Sequence, residues 1–350
     1  MTSHPGIAPP PRELSRPTAP PPRGLRRVGI LGTGASVPDR VLSNADLERM
    51  VATSDEWIRT RTGMRERRIA APGQATSDLA AAAARQALSQ CGMRPEQVEL
   101  IVVATVTPDH ICPPTATLVQ HKLGCTRAAG FDLSAACSGF MNALWVAHQM
   151  VATGSVQNAV VVGADLLSRI TDYQDRESCI LFGDGAGAVV LGPDPKGGEL
   201  LDHLVGIDGS GADLIVVPAG GSARPASEET VRARLHFLEL EGRKVFKFAV
   251  AKMCEVVTSI LARNGLELSD LDLLVPHQAN LRILEAAAQR LGFPMQQMVV
   301  NVDRFGNTSS ASVPMAFDEV VRDGRLARGK LACLVAFGGG LSWGASLVRW

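Results

Sequence analysis

The chain has 350 residues, 46% of them hydrophobic and 20% charged, enough for a sizeable core and incompatible with global disorder. Lys and Arg total 35, as do Asp and Glu, so no basic excess points to nucleic acid or a membrane surface. Aromatic residues are 4%, with Tyr173 the one tyrosine, which argues against a base-stacking role.

Residues 1–27 carry eight prolines, five arginines and one acidic residue, Glu13. Such a segment forms neither helix nor sheet and reads as a disordered tail. Its charge surplus of four leaves the remainder at −4, so neutrality is an average over two unlike parts. The folded chain is expected to start at Val28. From there strand-like and helix-like stretches alternate. Val28–Leu31 and Leu100–Val106 are apolar runs, and Asn44–Val51 opens on a helix-cap candidate. Ser77–Cys91 reads as an alanine-rich helix. Phe131–Leu133 leads into a helix over Ser134–Val151, and Asn158–Gly163 and Gly187–Leu191 are further strands. The alternation predicts an α/β fold with parallel strands.

The second half repeats the first. Val98–Pro108 is similar to Leu271–Asn280, Phe131–Leu144 to Val302–Phe317, and Phe182–Leu191 to Phe337–Val348, in the same order. This predicts an internal duplication, with units over 28–200 and 201–350 and the chemistry where they meet.

The seven cysteines are odd in number and form no C-x-x-C, which argues against a disulfide framework or a zinc site. Reduced thiols in the cytoplasm are expected. No run of about 18 apolar residues appears, so no membrane span is expected. Gly32 and Gly34 fit the first part of a dinucleotide-binding pattern, but Val37 and Pro38 break it.

Three residues are placed for chemistry. Cys137 follows a strand, opens a helix and has Ala135, Ala136, Ser138 and Gly139 as small neighbours. A helix N-terminus favours thiolate, although a buried core cysteine fits the position equally. His277 leaves the apolar run Leu271–Val275 and points to a crevice, or is a hydrogen-bonded structural histidine. Asn307, in Phe305-Gly306-Asn307-Thr308, is by itself more readily a turn residue.

Together, "DLSAACSGF", "VPHQANLRI", "GNTSSASVP" and "FGGGLSWG" resemble the β-ketoacyl-acyl-carrier-protein synthase III family. The likeness covers Val28–Trp350, including Asn44–Ala70. It implies a thiolase-like fold of two pseudo-symmetric α/β halves in a layered αβαβα core. It also implies a Cys137 nucleophile, with His277 and Asn307 as the other catalytic residues and the backbone N–H groups of Cys137 and Gly339 as the oxyanion hole. The implied reaction joins an acyl-CoA to malonyl-acyl-carrier protein with loss of carbon dioxide, starting type II fatty acid synthesis. Asn307 marks the subgroup, because an amide donates but carries no proton back and forth. Thiolases resemble this site but have a second cysteine there, elongating synthases a second histidine, and hydroxymethylglutaryl-CoA synthases a glutamate.

The same resemblance implies CoA contacts at Thr53, Trp57, Arg61, Arg176, Phe246 and Asn280, with Trp57 and Arg176 flanking the adenine. It implies carrier-protein docking at Lys247, Arg282 and Arg290, suited to an acidic partner. Cys112 stands where acetyl-preferring members have a phenylalanine that closes the partner's acyl pocket in a homodimer, so longer or branched primers are expected. No metal or organic cofactor is implied. Alternatives within the fold are a specialised synthase or acyltransferase of polyketide or other secondary metabolism. Outside that chemistry stand a Cys-His-Asn hydrolase and a non-catalytic subunit.

Overall fold

The computed structural model describes residues 24–194 and 198–350. The predicted tail lies outside the described residues up to position 23. Its last residues belong to the body: the Arg26 amide donates to the Ala152 carbonyl at 2.9 Å, and Arg27 pairs with Glu199.

Nine strands form one sheet. They are β1 (Gly29–Ser36), β2 (Leu100–Ala104), β3 (Ala129–Leu133), β4 (Ala159–Leu166), β5 (Asp184–Gly192), β6 (Glu199–Ile207), β7 (Leu273–Pro276), β8 (Leu331–Gly338) and β9 (Ser342–Arg349). Their order is β7-β8-β9-β6-β1-β5-β4-β2-β3. The junction β6–β1 divides it into two matching sets. In each set an antiparallel pair, β1–β5 or β6–β9, leads through a second antiparallel pair to a parallel one, β4–β2 or β8–β7. The sheet is therefore mixed, not parallel as the alternation predicted. The turn Gly339–Leu341 joins β8 to β9 too briefly for the crossover that a parallel pair needs. The expected division at 200/201 falls inside β6.

Six helices complete the layers: α1 (Thr76–Cys91), α2 (Thr115–Leu123), α3 (Gly139–Ala152), α4 (Gly242–Arg263), α5 (Leu281–Leu291) and α6 (Ser312–Arg322). Strand periodicity explains their placement. On β4, Val161 faces a core with Phe140 and Leu144 of α3 and Phe317 of α6, while Val160 and Val162 face α1 and α2. On β8, Leu334 joins that same inner core, while Cys333 and Val335 face α4 and α5. The result is α1/α2, the first set of strands, α3/α6, the second set of strands, α4/α5. Gly32 and Gly34 are packing residues: a Cβ at either would collide with the α1 carbonyls of Ala87 and Ala83. The helix near residue 44 spans Asn44–Glu48 and is capped by Ser43, not Asn44. The helix expected from Ser134 starts at Gly139, because residues 134–138 form a sharp turn instead.

Candidate active site

That turn presents Cys137. Ala136 has φ +47°, a conformation strained for any residue but glycine, and the short turn Ala136–Ser138 feeds α3. The second half repeats it: Ser309 has φ +50° and the turn Ser309–Ala311 feeds α6. Gly338 of β8 permits a close approach, since a Cβ there would lie 2.6 Å from the Cys137 nitrogen. The hydroxyls of Ser138 and Ser342 bond to each other at 2.8 Å. They also reach the Ala135 and Gly339 carbonyls, so the cysteine turn and the glycine loop hold together.

Burial pushes the Cys137 thiol up to about 11; a hydrogen bond with the Ser309 side chain opposes this, and the Asp165 charge adds to it. The thiolate expected from a helix N-terminus is therefore not the resting form.

His277 follows β7 and is 1% exposed. Its amide donates to the Val335 carbonyl at 2.8 Å, its ring meets Phe337 edge-on at 5.4 Å, and Nδ1 lies 2.6 Å from Ser312 Oγ. Burial alone pulls its pKa down to about 3, so the ring is neutral. The next residue, Gln278, fixes the loop: its Nε2 donates to the Pro276 and Val299 carbonyls, and its Oε1 receives the Asn301 and Val302 amides.

Asn307 is held between the halves. Its amide donates to the Leu181 carbonyl at 2.8 Å, and its carbonyl receives the Gly183 amide at 3.0 Å. Oδ1 receives the Ser309 amide at 2.9 Å, which turns the Nδ2 donor away from that loop. Beneath it, the fully buried Arg67 donates to the Ile180 carbonyl and to Asn44 Oδ1. Burial lowers the Arg67 pKa to about 10. Asp165, also fully buried, gathers the hydroxyls of Thr105, Thr107 and Ser310 and the amides of Val106 and Ser310.

A cavity of about 350 Å³ is lined by Cys137, Asn307, Ser309, Gly339, Phe246 and Asn280, with an apolar wall that includes Ile170 and Leu238. His277 is two residues from Ala279, which also lines it. Among the described residues no group of three His, Cys, Asp or Glu side chains is placed to hold a metal ion.

The structure sorts the other expected site residues. Trp57 lies under two guanidinium groups, Arg176 at 4.7 Å and Arg61 at 5.6 Å from the ring centroid. Thr53 carries a buried hydroxyl with no hydrogen-bond partner among the described residues. Asn280 caps α5 by accepting from the Arg282 amide and donates to the Arg61 carbonyl, so it has a structural role as well as a place in the cavity wall. Lys247, Arg282 and Arg290 are exposed. Cys112 is exposed beside Ile111 and does not line this chain's cavity. Gln278, Ser309, Ser312, Asp165 and Arg67 escaped the sequence reading. Of these, only Ser309 and Ser312 carry a signal, as polar residues repeated within "GNTSSAS".

The family described as 3-oxoacyl-[acyl-carrier-protein (ACP)] synthase III matches residues 131–209, and its C-terminal part matches residues 261–350. A β-ketoacyl-[acyl-carrier-protein] synthase III of Symbiobacterium thermophilum is 54% identical over 326 residues, covering 93% of this chain and 99% of the relative. The chain belongs to the synthase III family. The solved synthase III of Aquifex aeolicus VF5 is 41% identical, with a TM-score of 0.85 over 92% of this chain and all of that one. The priming β-ketosynthase of the R1128 polyketide pathway is 37% identical, with a TM-score of 0.87 over 95% of this chain and 98% of that one. Cys137 and Asn307, 170 positions apart, line one cavity.

Proposed function

We propose that the protein condenses an acyl-CoA with malonyl-acyl-carrier protein, giving 3-oxoacyl-carrier protein, CoA and carbon dioxide, and so initiates fatty acid synthesis. The observation that carries this reading is the single cavity lined by Cys137 and Asn307, with a neutral His277 two residues from its wall. Cys137 sulfur attacks the acyl thioester, and the thiol proton leaves with CoA. Malonyl-carrier protein then loses carbon dioxide, and the freed electron pair forms an enolate. Two neutral donors, His277 and the Asn307 amide, hold its oxygen. The carbanion attacks the acyl-Cys137 carbonyl, whose oxyanion is held by the N–H groups of Cys137 and Gly339. Collapse releases the Cys137 thiolate, which takes up one proton.

Substrates and side chains account for every bond in this sequence, so we assign it no metal or organic cofactor. We assign Thr53, Trp57, Arg61 and Arg176 to the nucleotide end of CoA, and Phe246 and Asn280 to its pantetheine arm. Lys247, Arg282 and Arg290 are assigned to the acidic carrier protein. A homodimer suits the exposed Cys112 loop, which lies apart from this chain's cavity. No helix among the described residues is long and apolar enough to cross a membrane, and we place the enzyme in the cytoplasm. The likeness to a polyketide priming enzyme supports a second reading, the same chemistry in secondary metabolism.

Intact-mass analysis after incubation with acyl-CoAs tests the mechanism. The expected result is an adduct on Cys137 that disappears only when malonyl-carrier protein is added. An adduct that persists in Cys137→Ala, or none at all, refutes the nucleophile.

A further inference from the structure

His277 is buried and neutral, so one ring nitrogen carries a proton and the other does not. Which one decides whether the ring can donate to an oxyanion. The nearest group to Nδ1 is the Ser312 hydroxyl, 2.6 Å away. That hydroxyl is unusual for a helix start. It makes no capping bond to α6, whose N-cap is Ala311. It accepts the Gln278 amide at 3.3 Å, and its own hydrogen has no other acceptor among the described residues.

We propose that Ser312 is a positioning residue for His277: its hydroxyl donates to Nδ1 and keeps the ring proton on Nε2. The opposite arrangement fails on two counts. With the proton on Nδ1, Ser312 Oγ accepts from both His277 and Gln278, and its buried O–H is left without an acceptor. Nε2 then presents a lone pair, which repels a developing enolate oxygen. Ser312 is itself well fixed. It is 1% exposed and follows directly on the turn Ser309–Ala311, which Asp165 anchors through Ser310. Gln278 locks the histidine loop from the other side. The inference rests on the donor role assigned to His277 above.

Nitrogen-15 NMR of histidine-labelled enzyme reads the tautomer directly, and His277→Asn identifies the resonance by its loss. The expected wild-type signal has a protonated Nε2 and a hydrogen-bonded acceptor Nδ1. In Ser312→Ala the Nδ1 signal moves to that of an unbonded acceptor. Decarboxylation of malonyl-carrier protein falls about 10–100-fold, less than for loss of the donor itself, while Cys137 acylation stays within about twofold. Ser312→Thr, which keeps the hydroxyl, recovers most of what the alanine loses. A wild-type proton on Nδ1, or an unchanged spectrum in Ser312→Ala, overturns the proposal. If His277→Asn leaves decarboxylation intact, the donor role falls by itself, and the spectrum still decides what Ser312 does.

Discussion

Asp165, on β4 of the first half, receives both the amide and the hydroxyl of Ser310, at 3.1 and 2.7 Å, from the second half. Ser310 occupies the place in its turn that Cys137 occupies in the matching one. The buried carboxylate thus anchors the turn that carries no nucleophile and adds negative charge near the one that does.

Two effects follow for Asp165→Asn. An amide replaces one acceptor oxygen with a donor that faces other donors, which costs about 1–3 kcal/mol of stability, measurable by urea unfolding. Removing the charge also lowers the Cys137 pKa from its resting value near 11. Iodoacetamide alkylation of the wild type is expected to rise with pH throughout the neutral range, and the variant profile is expected to lie at lower pH. An unshifted profile contradicts the electrostatic half of the argument.

Asn307→Ala is expected to separate the two half-reactions. Acylation of Cys137 needs no amide at position 307 and continues. Carbon dioxide release from malonyl-carrier protein falls about 10²–10³-fold, the usual loss for one oxyanion donor. Equal losses in both steps point instead to collapse of the loop that Arg67 and the Leu181 carbonyl support.

Arg176 stands 4.7 Å from the Trp57 centroid, closer than an interposed adenine permits, since two stacking contacts span about 7 Å. On the proposed assignment of this pair to the nucleotide end of CoA, binding requires Arg176 to swing out and close on the base. Arg176→Ala is expected to raise the KM for acyl-CoA about three- to tenfold, with little effect on saturation by malonyl-carrier protein. A kcat loss without a KM change contradicts this.

His203 sits under His148, with ring centroids 4.7 Å apart, and bonds Ser346 Oγ through Nδ1 at 2.7 Å. Its Nε2 is buried without a hydrogen-bond partner among the described residues. Burial depresses its pKa to about 3, against about 6.5 in an unfolded chain. Between those values the unfolded chain binds the extra proton, so stability is complete above about pH 6.5 and falls as pH drops toward 3. The slope from this one group is about 1.4 kcal/mol per pH unit at most. His203→Asn is expected to flatten the acid limb of unfolding free energy against pH; an unchanged limb excludes His203 as its source.

Cys112→Phe is expected to narrow primer choice toward acetyl-CoA, read as relative rates with acetyl-, isobutyryl- and octanoyl-CoA. A wild type already confined to acetyl-CoA removes the size argument.

Cys137, His277 and Asn307 stood out in the sequence only when their four short motifs were read together; each local run alone fitted a structural residue as well. The residues that hold them did not stand out at all. Asp165 and Ser310 are 145 positions apart, and Arg67 reaches Ile180 across 113. No periodicity or spacing announces such pairs. Local signals misled in two places. The small residues after Leu133 read as helix, but Ala136 turns into left-handed backbone. Alternating strands and helices read as a parallel sheet, but the turn at Gly339–Leu341 reverses the chain within one residue type, glycine, and its neighbours.

The inner helical layer belongs to neither half. Pro314 and Met315 of α6 lie against Gly187 of the first unit, and Met141 of α3 lies against Gly344 of the second. A gene cut between the two sets of strands would part each inner helix from some of the strands it covers. Either half made alone would lose apolar contacts that the other half's inner helix supplies.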